Sequence, residues 1–163
     1  EQPMEAAVKG LEIAKAAGVK TILNPAPAAD LPDGMLELCD FITPNETETE
    51  AITGVSVASI EDANNASKVL KSMGVGTPII TLGEKGAYLY GHGLVEAFIT
   101  GPVLETTGAG DAFNGGFATA LSEGMTSLEA VKMGCATAGI SVTRAGTAPS
   151  MPIRSEVDKL IYR

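Results

Sequence analysis

Glu105-Thr106-Thr107-Gly108-Ala109-Gly110-Asp111-Ala112-Phe113 is the stretch whose residue types could most directly do chemistry. Two glycines flank an alanine just before a run with helical periodicity, so several backbone N–H groups can face one point. A helix start leaves amides unpaired and carries the positive end of the helix dipole, which favours phosphate or another anion. Asp111 falls in the first turn of that helix. A carboxylate there can cap the helix, and it can equally face a pocket as a general base. Spacing alone leaves both readings open.

Three other segments invite the same question. Asn45 follows Pro44 as a good N-cap, and Glu48 stands three residues on, where a capping-box acid sits. Thr81-Leu82-Gly83-Glu84-Lys85-Gly86 puts glycines where backbone could pass close to a ligand, or could simply turn between strands. His92 is the only histidine and lies between two glycines, which reads as an exposed turn rather than a catalyst.

Elements must position these groups. Apolar residues at spacings of three and four predict helices over 4–17, 60–73, 110–123, 127–142 and 154–162, with another opening at Asn45. Val19–Leu23, Cys39–Thr43 and Thr77–Leu82 read as strands, with one helical turn near Met35–Leu38. Ala87–Tyr90 and Leu94–Ile99 read as a hairpin around Gly91-His92-Gly93. Strands alternating with helices imply βαβ units and a parallel sheet whose strand ends bind ligands. No repeat, low-complexity tract or linker interrupts the pattern, so residues 1–163 are expected to form a single α/β domain.

Composition narrows the function classes. Apolar residues make up 45% and aromatics 4%, so the core is expected to be aliphatic. A net charge of −9 argues against nucleic acid and anionic membranes, which require a basic face, but not against a small phosphorylated ligand. Cys39 and Cys135 form no CxxC arrangement and read as free thiols in a reducing compartment. No apolar run reaches the roughly 18 residues of a membrane span. The expectation is a soluble cytoplasmic protein.

Thr107-Gly108-Ala109-Gly110-Asp111-Ala112-Phe113-Asn114-Gly115-Gly116 closely resembles the D-T-x-G-A-G-D-x-F signature of the ribokinase-type carbohydrate kinase family. Asn24-Pro25-Ala26-Pro27-Ala28 is similar to that family's N-P-A-P-A stretch, and Thr43 through Glu48 to its T-P-N-E-x-E. Thr81 through Gly86 resembles its T-L-G-x-x-G, and Val142 through Ser150 is a further match in order. The resemblance covers essentially the whole chain but only the second half of the family's length. It implies a three-layer α/β/α fold around a mainly parallel sheet, incomplete on its N-terminal side, without the lid and most of the sugar site.

The resemblance also implies roles. Asp111 would take the proton from an attacking sugar hydroxyl, and Gly108, Ala109 and Gly110 would form the anion hole for the transferring γ-phosphoryl group. Asn45 and Glu48 would act near the phosphates of ATP and near Mg²⁺ with its waters. Thr81, Leu82, Gly83, Glu84, Lys85 and Gly86 would wrap the nucleotide. Cys135 falls where the family often has Asn beside the adenine, and reads equally as a small packed residue. Glu105, Thr107, Ser141, Arg144, Gly146 and Ser150 match a monovalent-cation (K⁺) site, with Glu105 in place of the usual Asp. Glu1 corresponds to a sugar-contacting Glu. The implied reaction is ATP-dependent phosphorylation of D-ribose on its primary hydroxyl. A fructose or adenosine kinase, or an ATP-binding module without turnover, are the alternatives. Expected partners are the sugar and ATP, with a homodimer in the full-length protein or a complementing N-terminal half.

Overall fold

The computed structural model describes residues 2–162. Their contacts divide into two compact units. One runs up to Leu82 and includes Tyr88–Gly93; the other holds Gly83–Ala87 and the chain from Leu94 onward.

The first unit begins with α1 (Met4–Ala16), entered from Pro3, which supplies φ −53° before the first turn. Gly18, at φ +69°, ends it in the left-handed conformation that glycine tolerates. Next come β1 (Ile22–Leu23), a 3-10 turn (Leu36–Leu38), β2 (Phe41–Ile42), α2 (Glu46–Thr53), α3 (Ile60–Ser72) and β3 (Thr77–Thr81). β1 pairs parallel with β2 (Ile22 opposite Phe41), and β2 pairs parallel with β3 (Ile42 opposite Pro78). This is the expected βαβ logic. The first two strands are shorter than the expected 19–23 and 39–43, because polar groups close them. Asp40 accepts the backbone N–H of Thr21 at 2.9 Å and the Lys15 ammonium at 2.9 Å. Ile42, Leu70, Val75, Ile79 and Ile80 are buried with Ala63 and Ala66 of α3, an aliphatic core as the composition implied.

A hairpin of β4 (Gly86–Leu89) and β5 (Gly93–Glu96) follows, and the five strands lie in chain order in the sheet. His92 sits exposed in its turn, as expected. In the second unit, α4 (Ala109–Ser122) and α5 (Ser127–Ser141) pack along most of their lengths, and α6 (Arg154–Ile161) lies on α5. Glycines let α4 and α5 meet closely. A Cβ on Gly134 would stand 2.8 Å from the Phe113 ring, and one on Gly116 would stand 2.9 Å from the Met133 carbonyl oxygen. Arg154 pairs with Glu123 and Asp158, and Arg144 with Glu156. Among the described residues, no helix is long and apolar enough to cross a membrane.

Both thiols are free and buried. Burial pushes Cys39 up to about 11 and Cys135 up to about 12. The thiolate is the nucleophile, so neither is expected to react at pH 8 in the folded protein. Titration with a thiol reagent should find both only after denaturation; prompt reaction of either in the native protein would contradict this packing.

Candidate active site

Among the described residues, five helices carry an acid at the third position of their first turn, and they use it differently. In α6, Glu156 Oε2 accepts the Ile153 N–H at 3.0 Å. In α2, the Asn45 side chain accepts the Glu48 N–H at 2.9 Å while Glu48 Oε2 accepts the Asn45 N–H at 2.9 Å. In α3, Ser59 and Asp62 form the same reciprocal box, as do Thr126 and Glu129 in α5. These bonds hold the Asp62 and Glu129 carboxyls below their usual range, since a hydroxyl and backbone amides favour the charged form. At α4 the N-cap is Gly108, which has no side chain to complete a box, and no side-chain cap bond forms. Asp111 is exposed, and among the described residues its carboxylate meets no hydrogen-bond or ion-pair partner, so the capping reading of this residue does not hold.

The same helix start leaves amides open. A helix has four N–H groups at its beginning without intrahelical partners. Here the Ala109 N–H turns back to the Thr106 carbonyl at 3.1 Å, and the first intrahelical bond runs from Ala112 to Gly108 at 2.9 Å. The amides of Gly108, Gly110 and Asp111 have no backbone acceptor. The open donors thus keep Gly108 and Gly110 of the expected trio, with Asp111 in place of Ala109. Gly108 has φ +80°, which orients the turn, and a Cβ there would stand 3.1 Å from the Thr147 methyl. Asn114 Nδ2 donates to the Gly110 carbonyl at 2.9 Å, bracing the first turn.

The second unit also holds the residues matched to a cation site, and joins two of them, Glu105 and Gly146, directly. Glu105 Oε2 accepts the Gly146 N–H at 2.8 Å, and the Val142 carbonyl accepts the N–H groups of Leu104 (2.8 Å) and Glu105 (3.2 Å). Ser150 is buried and its hydroxyl donates to the Thr147 carbonyl at 2.6 Å; the Ser141 hydroxyl donates to Ala138 at 2.9 Å. The Arg144 guanidinium donates to Glu156 at 2.5 Å; it has no acceptor, so Arg144 has only its backbone oxygen to offer a cation. Among the described residues no cluster of His, Cys, Asp and Glu could hold a metal ion by side chains alone. A set of carbonyl and hydroxyl oxygens suits a weakly held monovalent cation rather than a transition metal.

The residues matched to nucleotide binding divide between the units. In the first, Thr81 donates its N–H to the Pro44 carbonyl at 2.9 Å, which places it against the Pro44-Asn45 turn, and Leu82 is buried. In the second, Gly83, Glu84 and Lys85 form an exposed 3-10 turn. Gly86 is demanded by the hairpin itself, since a Cβ there would stand 2.6 Å from the Ala97 backbone nitrogen. Cys135 is buried with its Sγ 4.0 Å from the Val95 carbonyl, as a small packed side chain would be. Glu1 lies outside the described residues. The ties from Glu105 and Val142 to the chain some forty residues away carry no local signal in the sequence.

A helix start with open amides, and an unengaged carboxylate in its first turn, is an arrangement that can receive an anion and take up a proton. A family model described as pfkB family carbohydrate kinase matches residues 2–154, and the chain belongs to that family. The ribokinase of Haemophilus influenzae is 46% identical over 159 residues, covering 96% of this chain and 52% of that protein. A deoxyribokinase of Salmonella typhi is 37% identical over 156 residues, covering 93% and 51%. Among solved structures, Arabidopsis thaliana ribokinase complexed with ribose and ATP matches with a TM-score of 0.92 at 32% identity, covering 97% of this chain and 52% of that one. The chain spans about half the length of the curated relatives it matches.

Proposed function

We propose that this chain carries the base and the anion hole of a kinase that transfers the γ-phosphoryl group of ATP to the primary hydroxyl of D-ribose. The observation that carries the reading is Asp111: among the acids at the third position of α2 to α5 it alone is kept out of a capping box, beside open amides. The hydroxyl oxygen attacks phosphorus as its proton passes to the Asp111 carboxylate, and the bond to the leaving ADP oxygen breaks. The amides of Gly108, Gly110 and Asp111 are oriented for the charge on the transferring group, so catalysis rests on positioning and electrostatics.

Asn45 and Glu48 fit a role beside hydrated Mg²⁺, because their mutual bonds hold an oxygen-rich pair in one conformation. Mg²⁺ would neutralise phosphate charge there. The backbone oxygens of Glu105, Thr107, Ser141, Arg144 and Gly146, with the Ser150 hydroxyl, form the donor set for K⁺. The 37% identity to a deoxyribokinase supports a 2-deoxy sugar as a second reading of the substrate.

The test is ADP release from ATP and Mg²⁺, in K⁺ and in a non-binding cation, with D-ribose, with deoxyribose and with neither. Ribose-dependent release that is faster in K⁺ is the expected result. Equal rates in both cations would remove the K⁺ proposal. ATP binding by calorimetry without turnover on either sugar would confine the chain to holding nucleotide.

A further inference from the structure

We infer that Glu105 is a positioning residue for the anion hole, acting through Gly146 to hold the loop that opens α4. The inference rests on the proposed function only in what it says about turnover.

The loop 104–108 leans on the loop 142–147 at three successive points. At its start, the Val142 carbonyl takes both the Leu104 and the Glu105 N–H, at 2.8 and 3.2 Å. In the middle, Glu105 Oε2 takes the Gly146 N–H at 2.8 Å, a part-buried bond across 41 residues of chain. At its end, the Gly108 Cα lies against Thr147, where an added Cβ would come within 3.1 Å of the methyl. Of the three, only the middle tie is a hydrogen bond made by a side chain. It is also a charge-assisted bond, the stronger kind.

Gly146 has φ +81° and Gly108 has φ +80°. Both loops are therefore turned by residues that impose little barrier of their own, since glycine passes readily between backbone regions. The orientation of the Gly108 and Gly110 amides then depends on what holds the two loops together. Release of the Glu105 carboxylate would leave α4 folded, since α5 packs along it, but would free the turn ahead of it.

Two variants separate this from a general structural role. Gln at 105 keeps an oxygen that can accept the Gly146 N–H, whereas Ala removes it. In Glu105→Ala, amide hydrogen exchange is expected to rise about tenfold at Ala109 and Gly146, the hydrogen-bonded amides of the two turns, the scale of one charge-assisted bond, with α5 unchanged. Glu105→Gln should restore most of the protection. In steady-state kinetics Glu105→Ala should lower kcat about tenfold with KM for ATP nearly unchanged, and Gln should again recover most of it. Unchanged exchange in both loops, or a rise spread evenly through α4 and α5, would overturn the inference. If the unmodified protein turns over no sugar, the functional reading fails while the exchange result still decides the role of Glu105.

Discussion

Asp111→Asn is expected to lower ribose-dependent turnover by about 10²-fold or more while ATP binding stays nearly intact, the scale of losing a general base. Asn matches Asp in size and keeps an oxygen, but it cannot take up a proton from the attacking hydroxyl. The substitution is clean because Asp111 is exposed and forms no cap. Its structural cost is therefore limited to the favourable interaction of a carboxylate with the helix dipole, about 0.3–1 kcal/mol. Steady-state kinetics with calorimetric ATP titration check the prediction. Turnover close to that of the parent would mean that Asp111 serves only that dipole.

The largest effect on stability is expected at Phe117. Its ring is fully buried and stacks on Phe113 with centroids 6.0 Å apart and planes 10° from parallel. Phe117→Ala should cost about 3–5 kcal/mol, because the lost burial is compounded by a cavity between helices that cannot close up. Gly116 and Gly134 already bring the α4 and α5 backbones into contact, so neither helix can move inward to fill it. Urea unfolding followed by circular dichroism reads the loss as a lower midpoint. A shift equivalent to under about 1 kcal/mol would show that the site collapses after all.

Much of this was legible in the residues. The N-x-x-E spacing at Asn45 and Glu48 announced a capping box because both halves of a box lie within one turn of chain. The helices of the second unit were legible within a residue or so, since their apolar spacing is regular. Other features were not. Asp111 differs locally from Asp62 and Glu129 only in its N-cap, Gly108, whose missing side chain cannot complete a box; what the freed carboxylate faces depends on distant loops. The donor shift from Ala109 to Asp111 depends on one turn closing on Thr106. The bond from Glu105 to Gly146 joins loops brought together only by packing. β1 and β2 were overestimated because β-rich composition does not reveal where a side chain such as Asp40 takes over from the ladder.

The glycine-lined crossing of α4 and α5 has a mechanical consequence. Side chains between helices act as cushions, since rotamers can shift to absorb small displacements; backbone resting against a ring or a carbonyl has no such give. The two helices therefore transmit motion to each other stiffly, and Asp111 rides at the end of a rigid pair. Small displacements near Asp111 are therefore expected in the loops at 97–108 and 142–150 rather than in the helices beneath them.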